Sequence, residues 1–522
     1  MSSPAVAPKT KVRGLTHGKP LRGLMSTTSS QLFQGRFGRM FRRLPAAKYG
    51  DTDAESRDNL MKLGTAMIAG LDAPKDGEDP EESGIPALYT YFGQFIDHDL
   101  TFDPLSSLMK QSDPDALTDF RSPAFDLDNL YGRGPDDQPY MYDGGSKFLL
   151  GTSLANGAPD LPRNNASPAR AIIGDPRNDE NSIVSQLQGL FLRFHNRFVD
   201  DNPRLSFSAI QQAVRFHYQW VVMNDFLPRI VCASVLNDLK TNGKYDKSKL
   251  KYYVWKNNPF MPVEFSGAAY RLGHSMVRPG YRLNDDDSTL LPIFPSSGTG
   301  GLTGFQTMAP NRGIDWGRFI DTDIRSYGST DPNKQSTDPA TKKRLQFAYR
   351  LDTSLVEPLV NLPAIVAAGL PHSLAQRNLI RGYELGLPSG QAVAHNIGVT
   401  PLADDQIFIG KAVDDPDNTG SDPDVRGTIA SISDLAIFKG NTPLWTYVLA
   451  EAFNNRAQVK IPVTEGLTIS TPQLGPVGGR IVAEVFLGLM FGDVHSYLSL
   501  DPNWQPAAQY QLKDMVKYAL GQ

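Results

Sequence analysis

The amino-acid sequence predicts a mainly α-helical fold, one large helical domain with long irregular loops and little β-structure. Apolar residues recur at helical spacing in several segments, and the alternation that is typical of strands is scarce. Three stretches, residues 70–84, 280–345 and 400–425, are rich in Asp, Pro and Gly and are predicted to be loops. Since no change in composition marks a domain boundary, we assign residues 31–522 to one domain and residues 1–30 to a flexible N-terminal arm.

Helices are predicted where the apolar periodicity is strongest. Residues 85–100, 181–199 and 207–221 each place apolar side chains at helical spacing. In the first of these segments, Pro86 stands where the first turn of a helix tolerates proline. The C-terminal third adds the segments TPLWTYVLAEAF and GGRIVAEVFLGLMF, which are apolar and are expected to be buried.

Charge and cysteine content exclude some classes of protein. The net charge of −4 gives no overall attraction to nucleic acid or to an anionic membrane. The one cysteine, Cys232, allows no intrachain disulfide, which is compatible with a reducing compartment. No apolar run reaches the roughly 18 residues of a membrane span, and the N-terminal arm lacks the apolar region of a secretory signal. We therefore expect a soluble protein, cytoplasmic or exported by a non-classical route.

The segment YFGQFIDHDLTFDP, residues 91–104, carries four polar side chains within two turns of an otherwise apolar predicted helix. Gln94 and His98 are four residues apart and share a face, which Asp97 flanks. Asp99 points about 100° further round the helix than His98. Because adjacent helical residues do not converge on one ion, the DHD triplet alone is a poor metal site. On its own, the triplet is more typical of a helix end with solvated charges.

The stretch GQFIDHDLTF resembles, almost residue for residue, the distal signature of the peroxidase–cyclooxygenase superfamily, in its branch of animal-type haem peroxidases. Three further segments match the family in the same order: RSPAFDLDNLYG, IIGDPRNDENSIVSQLQGLFLRFHNRF and FSGAAYRLGHSMVRP. The resemblance extends from about residue 30 to about residue 500, and it is strongest to bacterial members of the peroxidase branch. It implies a single haem peroxidase domain that binds a haem b-derived cofactor.

The resemblance implies roles for three residues on the distal helix. His98 matches the distal base, which accepts a proton from hydrogen peroxide and returns it to the leaving oxygen. Such a base must be neutral at rest, so its pKa must be low. Gln94 matches the glutamine that orders water and halide in the pocket. Asp97 matches a carboxylate that forms an ester with a haem methyl group.

The motif GDPRNDEN supplies the next set of residues by resemblance. Arg177 matches the catalytic arginine, whose permanent charge stabilises the negative charge that develops on the departing oxygen. Glu180 matches a second ester-forming carboxylate. Asn181 stands where myeloperoxidase has a methionine bonded to the haem, so we expect ester links without a sulfonium link. His195, further along the predicted helix, is interpreted as structural. The motif is also typical of a helix N-terminus, which is compatible with these roles.

On the proximal side, the resemblance makes His274 the axial ligand of the haem iron. The ring nitrogen that does not bind iron needs an acceptor, and Asn378 matches the asparagine that provides it. Arg271 and Arg381 match arginines that pair with the two haem propionates.

A calcium site is also implied by the resemblance. Calcium takes six to eight oxygen ligands, and alternate residues of an extended loop can surround it. The implied ligands are Asp99, Ser122, Ala124 through its carbonyl group, Asp126 and Asp128. Because Asp99 adjoins His98, we expect calcium loss to loosen the distal pocket.

The implied function is a haem peroxidase that uses hydrogen peroxide to oxidise iodide, thiocyanate, bromide or small phenols. One alternative is a fatty-acid dioxygenase of the same superfamily, which uses a radical tyrosine three residues before the proximal histidine. Here that position holds Arg271, and Tyr270 lies one residue earlier, about 100° away on a helix. A second alternative is a non-catalytic module that binds haem or calcium. The complete set of His98, Arg177 and His274 argues against it.

Overall fold

The structure is a computed structural model of the 522-residue chain. It describes residues 37–522 apart from residues 71–73, 78, 102–121, 257, 288, 296–299, 326–342, 364–368, 412–423, 462–465 and 507–508. The predicted arm, residues 1–30, lies outside the described residues, and the domain boundary next to it stays a prediction.

Helices dominate the described chain, as the sequence predicts. The longer helices are α1 (Asp53–Ala66), α2 (Leu88–Leu100), α3 (Ser182–Asp201), α4 (Phe207–Val221), α5 (Leu374–Glu384), α6 (Gly390–Ile397), α7 (Leu444–Asn454), α8 (Pro476–Gly492) and α9 (Leu512–Leu520). Shorter helical turns follow at Asp128–Tyr131, Leu227–Ile230, Ala233–Asp238, Val263–Ser266 and Tyr497–Leu500. Two 3₁₀ turns, Pro176–Asp179 and Ala269–His274, matter for the site described below.

The strands are short and pair only two by two among the described residues. They are β1 (Phe37–Gly38), β2 (Glu82–Pro86), β3 (Lys240–Thr241), β4 (Lys244–Tyr245), β5 (Met261–Pro262), β6 (Gly280–Tyr281), β7 (Leu291–Pro292), β8 (Phe347–Tyr349), β9 (Phe408–Gly410), β10 (Val425–Thr428), β11 (Arg456–Lys460) and β12 (Thr468–Pro472). The pair β1–β5 is parallel, and β2–β8, β3–β4, β6–β7, β9–β10 and β11–β12 are antiparallel. This confirms a mainly helical fold with little β-structure.

The predicted helices of the first half are present, with one difference at the start of α2. Pro86 closes strand β2 instead of opening the helix, and α2 begins at Leu88. The α2 N-terminus has no side-chain cap. Its first amides instead donate to carbonyl groups of distant segments: Ala87 to Gln346 at 2.9 Å and Leu88 to Phe319 at 2.9 Å. These bonds satisfy amides that a helix cannot pair internally.

The long stretch predicted as a loop, residues 280–345, therefore helps to hold α2. In the described part of this stretch, ion pairs between arginine and aspartate side chains hold the segment together. Arg318 is fully buried and donates to Asp285 at 2.8 Å, and Arg325 binds the same carboxylate at 2.9 Å. An irregular segment with such internal pairing can support a helix end as firmly as a regular element.

Aromatic side chains fill the space between α2 and its neighbours. The rings of Phe95 and Phe191 stack at 4.4 Å between centroids, and Phe92 meets Tyr218 and Phe226 edge-on. Such aromatic pairs stabilise a fold by more than their buried surface area alone accounts for. Beyond them runs α8, which is apolar and buried along most of its length, as expected for its sequence. No helix within the described ranges is both long and apolar enough to cross a membrane.

Candidate active site

A cavity of about 400 Å³ lies between α2, the two 3₁₀ turns and α5. From the set predicted by the sequence, the residues that line it are Gln94, Asp97, His98, Arg177, Glu180, Arg271, His274 and Arg381. They come from four separate parts of the chain, so folding brings together most of the residues that the sequence singles out. The volume falls within the range of small-molecule sites in proteins.

His98 is buried in this cavity and held by a contact that the sequence did not predict. Its Nδ1 lies 2.7 Å from Oδ1 of Asn178, whose Nδ2 donates to Gln188 at 2.8 Å. Since the amide nitrogen is used by Gln188, the amide oxygen faces the imidazole. Nδ1 therefore carries the proton, and Nε2 is the nitrogen with the free lone pair.

The electrostatics of the cavity keep His98 neutral. Burial, followed by the positive charge of Arg177, lowers the pKa of His98 to about 4. Both effects disfavour the imidazolium form. At neutral pH the side chain is thus in the state that a proton acceptor requires.

Arg177 ties the turn Pro176–Asp179 to the end of α2. Its guanidinium pairs with the fully buried Asp175 at 2.8 Å and donates to the carbonyl groups of His98, at 3.1 Å, and Thr101. Asp175 also accepts the backbone amide of Arg177 at 2.8 Å. The charged group is therefore held in place while it lines the cavity.

Gln94, Glu180 and Asn181 form a second polar group on the same wall. Gln94 donates through Nε2 to the carboxylate of Glu180, and the amide of Asn181 donates to Gln94 at 3.4 Å. Burial raises the pKa of Glu180 to about 7. Asn181 also begins α3, because its Oδ1 accepts the amides of Ile183 and Val184. The predicted helix start at this motif is confirmed.

His274 ends the turn Ala269–His274, and burial together with Arg271 lowers its pKa to about 3. Its Nδ1 lies 2.8 Å from Nδ2 of Asn378, while Oδ1 of Asn378 accepts from Arg271 at 2.9 Å. The sequence correctly pairs Asn378 with His274, but the amide presents its nitrogen where an oxygen was expected. The reason is Arg271, which has only donors and therefore takes the oxygen.

Tyr270 also lines the cavity, beside Arg271. Its ring stacks on Phe265 with 4.6 Å between centroids, and its hydroxyl donates to the carbonyl of Gly93 at 3.3 Å. The tyrosine thus bridges the proximal turn to α2. Burial raises the pKa of its phenol.

The predicted calcium ligands lie near one another, behind the distal helix. Both carboxylate oxygens of the buried Asp99 accept backbone amides, from Leu127 at 3.2 Å and Asp128 at 2.8 Å. Ser122 donates to Asp126 at 2.8 Å. Within the ranges that the structure describes, no group of three or more His, Cys, Asp or Glu side chains is placed to hold a metal ion. Calcium stays a prediction.

His195 is buried away from the cavity, where Tyr131 lies 3.0 Å from Nδ1 and the carbonyl of Ser146 lies 2.7 Å from Nε2. This agrees with its structural interpretation. The residues that the sequence did not reveal are Asn178 and Gln188. Gln188 could have been noticed, because a glutamine on the apolar face of a predicted helix needs a buried partner.

Comparisons with known proteins match parts of this chain to peroxidases. The family model of the animal haem peroxidases matches residues 114–299. Thyroid peroxidase of Mus musculus is 25% identical over 224 residues, 38% of this chain and 23% of that protein. Chorion peroxidase of Drosophila melanogaster is 29% identical over 141 residues, 26% of this chain and 17% of that protein. The matches thus span about a fifth of the length of these relatives.

Solved structures share the fold over almost the whole chain. Peroxidase A from Dictyostelium discoideum has a TM-score of 0.55 at 16% identity and covers 96% of this chain and 95% of its own. A fatty acid alpha-dioxygenase of Oryza sativa has a TM-score of 0.51 at 14% identity and covers 96% of this chain and 84% of its own.

The chain is thus similar in sequence to peroxidases over part of its length, and it shares the fold of a peroxidase and of a fatty acid alpha-dioxygenase over almost all of it. The match to the animal haem peroxidase model over residues 114–299 makes haem the cofactor to test against the cavity.

The residues of the cavity fit a haem group. Gly273 lines the cavity beside His274, and a Cβ atom built there would meet nothing within 4 Å, so a flat ring has room to approach. A neutral imidazole is the form of His274 that can bind iron. If Arg271 were to release Asn378, a 180° rotation of the Asn378 amide would bring its oxygen to Nδ1 of His274.

Replacing Asn178 tests whether this residue positions the distal base. Asn178→Ala removes the acceptor of Nδ1, so Nε2 loses its fixed protonation state and direction. We expect cyanide to bind the haem-loaded protein about 10-fold more slowly, because hydrogen cyanide must first lose its proton to the base. Stopped-flow spectroscopy measures this rate.

Asn178→Asp keeps an oxygen acceptor and should retain most of the rate, and the exposed Asn503→Ala serves as a matched surface control. An unchanged rate in Asn178→Ala would show that Asn178 does not position His98.

Proposed function

We propose that this protein is a peroxidase that uses hydrogen peroxide to oxidise halides, thiocyanate and small phenolic donors. The observation that carries the proposal is the neutral, oriented imidazole of His98 beside the guanidinium of Arg177 in the cavity that also holds His274. A proton acceptor and a fixed positive charge are the two groups that cleavage of an O–O bond needs.

Bound haem would supply the redox chemistry and an iron site for peroxide, held by His274. His98 accepts a proton from peroxide at Nε2 and then returns it to the departing oxygen, which leaves as water. Arg177 stabilises the negative charge on that oxygen before the proton arrives. Overall, hydrogen peroxide gains two electrons, and either one halide loses two or two phenols lose one each.

The fatty-acid dioxygenase alternative has less support in the cavity. Arg271 occupies the position three residues before His274, and its guanidinium bonds to the carbonyl of Ser266 at 2.9 Å and to Asn378. Tyr270 is engaged with the carbonyl of Gly93. The rice alpha-dioxygenase resembles this chain in fold at 14% identity, which carries no assignment of substrate.

The pH dependence of the reaction with peroxide tests the role of His98. Because its pKa is lowered to about 4, the base form persists at any pH above that value. We expect the rate constant to be flat from neutral pH down to about pH 5 and to fall as the pH passes through 4. His98→Gln should lower the rate by about 10²–10⁴.

His395→Gln, at an exposed histidine, is the control and should behave like the unchanged protein. Loss of rate with a midpoint near 6.5, the ordinary value for histidine, would contradict the proposed base.

Two esters between the protein and the haem complete the proposal. Asp97 and Glu180 both line the cavity from separate elements, so each could meet a different edge of a bound ring. Burial raises the pKa of Glu180 to about 7, because the buried site disfavours the charged carboxylate. An ester would remove that charge.

Mass spectrometry of digested holoprotein after peroxide treatment tests these links. We expect haem on two peptides, one with Asp97 and one with Glu180. Glu180→Gln should lose only the second link, because the first comes from another element. Haem that separates from both peptides in the denatured protein would contradict the ester proposal but leave the role of His98 untouched.

A further inference from the structure

Three arginines lie along one edge of the cavity: Arg271, Arg377 and Arg381. Arg377 and Arg381 are four residues apart on α5 and therefore share a face. Burial, opposed by the charge of Asp97 and reinforced by the positive charges of Arg381 and Arg377, lowers the pKa of Arg271 to about 10. The three guanidinium groups thus act on one another across a small space.

Arg377 is held in this position by carbonyl groups. It donates to Gly369 at 3.2 Å and to Pro371 at 3.0 Å. Burial lowers its pKa, with no contribution from a carboxylate. Among the described residues no Asp or Glu forms an ion pair with it, so its charge is oriented but not neutralised by the protein.

Three arginines line this edge, whereas a haem has two propionates. The resemblance assigns these propionates to Arg271 and Arg381. Asp97 is the carboxylate whose charge acts on Arg271, and the proposed ester would remove that charge. Arg377 would then line the cavity with no anionic partner in haem or in the described part of the chain.

Apolar side chains adjoin Arg377 in the cavity wall. Leu374 lies one helical turn before it on α5, and the amide of Leu362 donates to the carbonyl of His372 in the preceding segment. Both leucines line the cavity. A cation beside an apolar wall suits a ligand that joins a carboxylate to an aromatic ring.

We propose that Arg377 binds the carboxylate of an anionic phenolic donor at the arginine edge of the cavity. The proposal rests on the proposed function and names the class of substrate for the same site. It predicts that phenols with a carboxylate bind better than neutral phenols of the same size and shape.

Two phenols that differ in one group test this proposal: 3-(4-hydroxyphenyl)propanoate and its neutral amide, 3-(4-hydroxyphenyl)propanamide. Each is titrated into the haem-loaded protein without peroxide, and binding is followed by the change in the Soret band. The unchanged protein should bind the propanoate about 10-fold more tightly, which corresponds to one charge-assisted hydrogen bond. In Arg377→Gln the ratio of the two dissociation constants should fall to about 1.

Two further variants guard against an effect on folding. Arg377→Lys keeps the charge and should retain part of the preference, and Arg197→Gln, a surface arginine paired with Asp201, should retain all of it. Equal affinities in the unchanged protein would overturn the proposal. So would loss of haem or a displaced Soret band in Arg377→Gln, since Arg377 would then hold a propionate.

The proposed function can fail separately. If the unchanged protein prefers the propanoate but oxidises neither phenol nor iodide with peroxide, the carboxylate site is supported and the peroxidase proposal is wrong.

Discussion

The ion pair between Arg177 and Asp175 is the interaction on which the geometry of the site depends most. Asp175 is fully buried, and Arg177 extends from it to the carbonyl groups of His98 and Thr101 at the end of α2. One charged pair thereby fixes the turn before α3 against the helix that carries His98. Breaking a buried pair leaves an unpaired charge, which is strongly destabilising, so this arrangement resists displacement. Asn178, the next residue, can then meet His98 at hydrogen-bond distance.

Burial tunes the acid–base groups around this pair in opposite directions. It lowers the pKa of His98 and His274 because their charged forms are cationic, and it raises the pKa of Glu180 because its charged form is anionic. The same loss of water therefore leaves two neutral imidazoles and a carboxyl group whose pKa is about 7. Burying these residues around one cavity sets all three states at once.

Much of the fold and site follows from local patterns in the sequence. Helical periodicity predicts α2, α3 and α4 because each buries one apolar face. The spacing of Gln94, Asp97 and His98 predicts that they share a wall of the cavity, whereas Asp99 faces away and binds backbone amides. Local spacing suffices here because a helix fixes the direction of each side chain.

Contacts between distant segments could not be predicted in the same way. His98 and Asn178 are 80 residues apart, and nothing in either segment alone shows that they meet. The support of α2 by Phe319 and Gln346 depends on the path of an irregular stretch without periodicity. The orientation of the Asn378 amide depends on which acceptor Arg271 takes, a competition that only the folded cavity defines.

Resonance Raman spectroscopy of the reduced haem complex tests the central claim most directly, because the iron–histidine stretch reports the side chain that holds the iron. The unchanged protein and His98→Ala should show this stretch, and His274→Ala should lose it. If the stretch survives in His274→Ala, or is lost in His98→Ala, the assignment of the two sides of the cavity is wrong. A chain that takes up no haem would contradict the account as a whole.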